Sequence, residues 1–157
     1  MTPLALVHGF GTSRHLWRRV LEGVEGQAVD LIGFGDAAEA GRAGQTVGDM
    51  AQALAGTLRG AGGGPYRVEA HSMGGKVALL LAARNPEPVS ELLLIALSPP
   101  TPEPMKPEGR AKLRSAYGDR DALNAQYHEI THQSIPDQDF EQLIQDGLRA
   151  SRDAWTA

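Results

Sequence analysis

Cysteine is absent from the 157 residues of the chain, which excludes disulfide bonds, thiolate zinc sites and cysteine nucleophiles together. Long hydrophobic runs are absent as well, since the longest one, residues 77–83, is far shorter than the roughly 18 residues that a membrane span requires. Residues 1–7 lack the basic and apolar regions of a signal peptide. We therefore expect a soluble, cytoplasmic protein without a membrane partner.

Positive charge is also scarce. Lys and Arg number 15 against 19 Asp and Glu, which gives a formal net charge of -4. Nucleic acids are bound by clustered basic side chains, so we expect no nucleic-acid partner. The chain does contain 41% hydrophobic and 22% charged residues, which is the composition of one globular domain.

The first hundred residues alternate short apolar runs with longer amphipathic stretches. Four runs are predicted strands, at residues 4–7, 27–32, 66–70 and 91–97. Between the second and the third, residues 46–59 carry apolar side chains at helical spacing. Strands that are separated by crossover helices form parallel sheets with helices on their faces. The predicted fold class is therefore α/β.

The composition changes near residue 98. Five prolines between positions 99 and 107 interrupt regular structure. Three polar amphipathic helices are predicted after them, at residues 108–117, 121–133 and 137–155. We divide the chain into a core (1–100) and a helical segment (101–157). The helical segment is too small and polar for a rich core of its own, so we expect it to pack on the edge of the sheet domain.

Residues 66–81 are the most informative stretch, because a predicted strand runs into Ser72 and then into an apolar helix. This is the context of the GxSxG turn that presents a serine nucleophile. Such a strained turn needs small side chains two residues before and two after the serine, and these are Ala70 and Gly74. Ala70 replaces the first glycine of the motif and makes it less specific. Gly75 allows the helix to approach the sheet closely.

Residues 4–13 form a second element, a predicted strand that ends in a turn at His8 and Gly9. The loop after this turn can direct the N–H of Phe10 toward the oxygen of an attacked carbonyl, and the N–H of Met73 is the natural second donor. Two such donors are what acyl transfer requires. We interpret His8 as an imidazole that stabilises the turn rather than as a base.

Three polar residues near Ser72 need an explanation of their own. His71 directly precedes the serine, and we expect it to point away from the substrate and to support the turn. Arg67 and Glu69 lie in a predicted central strand, where parallel sheets are normally apolar on both faces. We expect that they pair with charged neighbours or that this strand is less covered than usual.

Four motifs together resemble a known family. They are residues 7–11 followed by Trp17, residues 29–35, residues 71–76 and residues 85–87. Their order and spacing over residues 4–100 resemble those of the α/β-hydrolase superfamily, specifically its small esterase-like members with a helical lid. The resemblance implies a parallel sheet flanked by helices, hydrolysis of a small carboxylic ester through an acyl-enzyme, and no metal or organic cofactor.

The resemblance also implies roles for individual residues. Ser72 is the expected nucleophile, and Phe10 and Met73 are the expected oxyanion-hole donors. The helical segment is expected to be a lid that shapes the acyl or alcohol pocket.

One part of the family pattern is missing. Family members carry a catalytic Asp and then a catalytic His after strands that follow the lid, and neither strand is present, so the expected fold is incomplete at its C-terminus. A general base contributes about 10²–10⁴-fold, and Ser72 is a weak nucleophile without one. An incomplete sheet also leaves an exposed edge. We therefore expect a complementary C-terminal segment, another copy of the chain, or aggregation at this edge.

Two alternatives to an incomplete hydrolase stay open. The first is a non-catalytic binding module that keeps the hydrolase core. In the second, a histidine of the helical segment, His128 or His132, is recruited as the base.

A further pattern is the HExxH sequence at residues 128–132. On a helix it places two imidazoles on one face for zinc, with the glutamate as the base of a peptidase. Glu141, Asp146 or Asp153 could be the third ligand. We favour surface histidines of a lid helix, and we expect no metal.

Overall fold

The structure is a computed structural model that describes residues 2–131 and 134–156. Four strands form one sheet in the order β2-β1-β3-β4, and every neighbouring pair is parallel. The strands are β1 (Leu4–Val7), β2 (Gln27–Val29), β3 (Tyr66–His71) and β4 (Val89–Ile95). A 3-10 turn (Arg14–Trp17) and the one-turn helix α1 (Arg18–Leu21) connect β1 to β2. The predicted α/β fold class is confirmed.

Two strands have bounds that differ from the prediction. The second strand is three residues long, and a turn follows in which Phe34 N donates to Leu31 O (3.0 Å). The carboxylate of Asp30, between the strand and this turn, accepts the backbone N–H groups of Arg14 (2.7 Å) and Asp36 (3.0 Å). The fourth strand lies two residues earlier than predicted and ends at Ile95. It ends there because Ala96 has a φ of 46°, which is incompatible with extended backbone.

One face of the sheet is covered by α2 (Val47–Ala61) and α3 (Met73–Arg84), which pack against each other. The helix predicted at residues 46–59 is confirmed as α2. It begins with a capping box, in which Asp49 N donates to Thr46 Oγ1 (3.2 Å) and Thr46 N donates to Asp49 Oδ2 (2.9 Å). The core of this face consists of fully or almost fully buried apolar side chains, among them Val7, Leu54, Leu58, Val68, Ala70, Val77 and Leu81.

The opposite face of β3 and β4 is exposed to solvent. The register places Arg67 beside Glu91 and Glu69 beside Leu93 on this face. Arg67 Nη2 lies 2.9 Å from Glu69 Oε1, so the two charged residues pair with each other. Leu93 and Ile95 are 43% and 38% exposed. Strand β3 is therefore less covered than a central parallel strand usually is.

Four helices lie in the described residues of the helical segment. They are α4 (Pro107–Ser115), α5 (Arg120–Ile130), α6 (Asp137–Arg149) and α7 (Arg152–Thr156). The single helix predicted at residues 137–155 is wrong, because Ala150 is extended (ψ 144°) and Ser151 N donates to Gly33 O (2.8 Å). No helix in the described part of the chain has the length and apolar character to cross a membrane.

The helical segment lies across the loops that follow β1 and β2. Tyr127 Oη donates to Gly11 O (2.5 Å), and Arg149 Nη2 donates to Asp36 Oδ1 (2.8 Å). We expected contact with the edge of the sheet domain. These two contacts are made with loops: the Arg149 contact with the loop at the carboxyl end of the edge strand β2, and the Tyr127 contact with the loop after the interior strand β1.

Candidate functional site

Ser72 occupies a tight turn between the end of β3 and the first residue of α3. Its φ is 53° and its ψ is -122°, a strained conformation for a residue other than glycine that costs about 1–3 kcal/mol. Neighbouring backbone holds it in place: Ser72 N donates to Ile95 O (3.0 Å), and Ser72 O accepts the N–H groups of Gly75 (3.0 Å) and Ser98 (3.2 Å). The strained turn that the sequence predicts is present.

The residues around Ser72 have no room for larger side chains. A Cβ atom at Gly74 would lie 2.1 Å from His8 O, and one at Gly75 would lie 2.8 Å from Leu97 Cδ1. Ala70 is completely buried. The small residues of the motif therefore allow α3 to approach both β4 and the turn after β1.

His8 holds the turn after β1. Its buried ring donates from Nδ1 to Gly9 O (2.7 Å), and its Nε2 accepts the N–H of Leu31 (3.0 Å). These partners assign the neutral tautomer with the proton on Nδ1. Burial lowers the pKa of His8, while the Gly9 hydrogen bond and the Asp30 charge only partly oppose this shift. The ring is a structural link between two loops, in agreement with its interpretation from sequence.

The loop after β1 rests directly on the Ser72 turn. A Cβ atom at Gly9 would lie 3.1 Å from Ser72 Cβ and 3.1 Å from His71 Nδ1. The backbone N–H groups of Phe10 and Met73 donate to no other residue in ranges 2–131 and 134–156. For Met73 this is expected, because the first N–H groups of a helix have no intrahelical partner. Phe10, Ser72 and Met73 are all half-buried and thus open to solvent.

None of the described histidines has a hydrogen bond to the Ser72 hydroxyl. His15 Nδ1 lies 2.9 Å from Ser13 Oγ and 3.1 Å from Asp146 Oδ1. His71 Nδ1 is buried without a hydrogen-bond partner, and burial lowers the pKa of this imidazole. His8 and His15 therefore have partners other than Ser72, and His71 Nδ1 is buried.

His128, a candidate for a recruited base, stacks on Phe140 with ring centroids 4.1 Å apart. It lines a groove between α5 and α6, in which Ser72 takes no part. The second candidate, His132, lies outside the described residues.

The HExxH sequence is helical only from His128 to Ile130 among its described residues, and His132 lies outside them. Helix α5 ends at Ile130, and Thr131 is extended (φ -99°, ψ 106°), so the helix predicted at residues 121–133 is too long. Glu129 Oε2 pairs with Lys112 Nζ at 2.7 Å. Among the residues that the structure describes, no group of three His, Asp or Glu side chains is placed to hold a metal ion.

Sequence reasoning missed the partners of Asp146. The HExxH pattern suggests Asp146 only as a third zinc ligand. In the structure its buried carboxylate instead accepts a 2.6 Å hydrogen bond from Ser13 Oγ. The two residues are 133 positions apart, so no local pattern could have connected them.

Residues 2–135 match the family model whose description is alpha/beta hydrolase fold. This match covers most of the chain, and the chain belongs to the α/β-hydrolase family.

Curated relatives of the chain are longer proteins. Lipase LipV of Mycobacterium tuberculosis is 37% identical over 92 residues, which make up 57% of this chain and 34% of the lipase. An esterase of the same organism is 29% identical over 152 residues, or 93% of this chain and 51% of the esterase. The chain thus spans about a third to a half of the length of these relatives.

A solved esterase from Exiguobacterium antarcticum has the same fold, with a TM-score of 0.77 at 20% sequence identity. The alignment covers 99% of this chain and 63% of that protein.

Proposed function

We propose that the chain is a serine hydrolase of carboxylic esters in which Ser72 attacks the substrate carbonyl. The observation that carries this proposal is the positive φ of Ser72, 53°, in a half-buried turn between a strand and a helix N-terminus. Backbone strain of this kind is concentrated at functional sites, and it presents the hydroxyl of hydrolases at the top of a sheet. The lipase and esterase relatives favour the same class of reaction.

The proposed reaction has two halves. In the first, Ser72 Oγ bonds to the carbonyl carbon and gives its proton to a general base, while the N–H groups of Phe10 and Met73 stabilise the oxyanion. The C–O bond to the alcohol then breaks, and the alcohol leaves with the proton from the base. In the second half, water attacks the acyl-enzyme, and the acid is released as Ser72 regains its proton.

We assign the general base to a complementary polypeptide segment that adds a strand beside β4. Strand β4 lies at the edge of the sheet, so its outer backbone groups are available to pair with such a strand. Its carboxyl end would lie near Ser72, since the end of β4 accepts the Ser72 N–H. A second copy of the chain fits this role less well, because His8 and His15 of each copy already have hydrogen-bond partners and His71 Nδ1 is buried.

A fluorophosphonate probe tests the proposal. It phosphonylates an activated serine with loss of fluoride, so with free imidazole added to replace the base we expect one adduct per chain by intact mass and its location on Ser72 by peptide mapping. Ser72→Ala should remove the adduct. Ser98→Ala is the matched control and should keep it, because the backbone N–H of Ser98, not its hydroxyl, contacts Ser72. A folded chain whose Ser72 stays unmodified at every imidazole concentration would contradict the proposal and favour the non-catalytic binding module.

A further inference from the structure

A buried polar cluster, formed by Ser13, His15, Gln142 and Asp146, joins α6 to the chain that follows β1. The side chain of Asp146 is completely buried. Its Oδ2 accepts from Ser13 Oγ (2.6 Å), and its Oδ1 accepts from His15 Nδ1 (3.1 Å) and Gln142 Nε2 (3.1 Å). A buried carboxylate is costly unless it is paired and hydrogen-bonded, and here both oxygens have partners.

The polar cluster contains a serine, a histidine and an aspartate, but it is not a second catalytic triad. Ser13 is fully buried, its hydroxyl donates a hydrogen bond directly to the carboxylate, and the same ring nitrogen of His15 lies near both groups. The nucleophile of a triad is instead exposed to substrate, and the carboxylate is bound to the other nitrogen on the far side of the ring. The polar cluster therefore anchors α6 to the chain that follows β1.

The segment that the polar cluster anchors includes the proposed oxyanion donor. Ser13 lies three residues after Phe10, in the same loop that rests on Ser72 through Gly9. Two more contacts come from the helical segment: Tyr127 Oη donates to Gly11 O (2.5 Å), and the Trp155 ring packs on Phe10 with centroids 4.7 Å apart.

Tyr127 is suited to a permanent donor role. Burial raises the pKa of this phenol far above its ordinary value, and the charge of Asp146 raises it further. The hydroxyl therefore keeps its proton and its hydrogen bond to the loop. The helical segment thus holds the loop at both Gly11 and Ser13, while the remaining end is fixed at β1.

We propose that Asp146 is a positioning residue, which acts through Ser13 and His15 to hold the loop of residues 9–13 in the geometry that directs the Phe10 N–H toward the substrate oxyanion. This inference rests on the proposed ester hydrolysis at Ser72. It assigns the helical segment a part in catalysis beyond the shaping of a substrate pocket, because α6 then fixes one wall of the oxyanion hole.

Four variants separate this role from general stabilisation. Asp146→Ala removes all three acceptor contacts, and Asp146→Asn keeps the shape while losing the charge. Ser13→Ala removes a single contact and is the fallback if Asp146→Ala does not fold. Asp139→Ala is the matched control, since Asp139 also lies on α6 and pairs with Arg19 Nε (2.5 Å) without touching the loop.

Amide hydrogen exchange is the first measurement, and it does not depend on any activity. We expect exchange in a peptide of residues 9–17 to rise about tenfold or more in Asp146→Ala, and less in Asp146→Asn and Ser13→Ala, because local opening frees the N–H groups of His15 and Leu16, which donate to Ser13. Exchange in the α3 peptide should stay unchanged, and Asp139→Ala should match the parent at both places. Unchanged exchange at residues 9–17 in the folded variants, or an equal rise in α3, would overturn the proposal.

The second measurement is the rate of Ser72 phosphonylation at increasing probe concentration, with the same amount of free imidazole added to the parent and to each variant to replace the base. A displaced oxyanion donor lowers the rate of the chemical step, and we expect a loss of about tenfold to a hundredfold in Asp146→Ala with unchanged probe affinity. A loss of affinity alone, or no change at all, would contradict the positioning role. Absence of labelling in the parent would instead refute the proposed hydrolysis, and the exchange data would still show whether Asp146 anchors the loop.

Discussion

The side chains of Val68 and Ala70, on one face of the sheet, are completely buried beneath α2 and α3, whereas Leu93 and Ile95, on the opposite face, are 43% and 38% exposed. The two faces belong to the same strands, since successive side chains point to opposite sides. The buried face accounts for the stability of the fold, and it also supports the Ser72 turn. The exposed face contributes little to stability and is available to a further polypeptide.

The largest expected effect on the free energy of unfolding comes from comparing a buried leucine with an exposed one. Leu81 is completely buried in α3, and Leu81→Ala should lower the free energy of unfolding by about 2–5 kcal/mol, because it leaves a cavity. Leu93→Ala, the matched change on the exposed face, should alter it by less than about 0.5 kcal/mol. Urea unfolding followed by circular dichroism measures both. Equal losses would mean that the face of Leu93 is buried in solution.

A glycine pair tests the close approach at the Ser72 turn. Gly74→Ala should destabilise the fold by about 1–3 kcal/mol, because the new Cβ would lie 2.1 Å from the backbone oxygen of His8. Gly56→Ala is the control. Gly56 is exposed in α2 with no atom within 4 Å of an added Cβ, so this change should stabilise the helix by about 1 kcal/mol. Thermal unfolding compares the two, and a harmless Gly74→Ala would refute the described packing.

A substitution at the β4 edge should have the smallest effect on the free energy of unfolding. It should nevertheless have a clear effect on self-association. Leu93→Lys should change the free energy of unfolding by less than about 0.5 kcal/mol, yet reduce self-association, because lysine on an edge strand opposes pairing. Val20→Lys is the matched control, since Val20 is similarly exposed at 40% but lies in a helix. Sedimentation velocity measures the outcome. A parent chain that is monomeric at high concentration would show that this edge does not attract a second copy.

The sequence predicts correctly the elements that are defined by residues close together in the chain. The apolar runs of the four strands and the small residues around Ser72 are adjacent in the chain, so the sheet and the strained turn could be anticipated. The end of β4 could not, because it depends on a positive φ at Ala96, a residue that rarely adopts this conformation.

The errors in the helical segment have a tertiary origin. The predicted helix of residues 137–155 is interrupted where Ser151 N donates to Gly33 O. Gly33 is distant from Ser151 in the sequence, since it lies in the loop after β2. The contacts of Asp146 with Ser13 and His15 are equally distant in sequence. Periodicity along a helix shows which residues face inward, but it does not show which loop they meet.

The central claim is that Ser72 is a positioned nucleophile whose general base comes from outside the described residues. Its most direct test is the rate of Ser72 phosphonylation as free imidazole is added to replace the base. The account predicts a rate that rises in proportion to imidazole in the parent and no adduct in Ser72→Ala. A substantial rate that does not depend on imidazole would show that the chain already contains its base, and no reaction at any imidazole concentration would show that Ser72 is not a nucleophile.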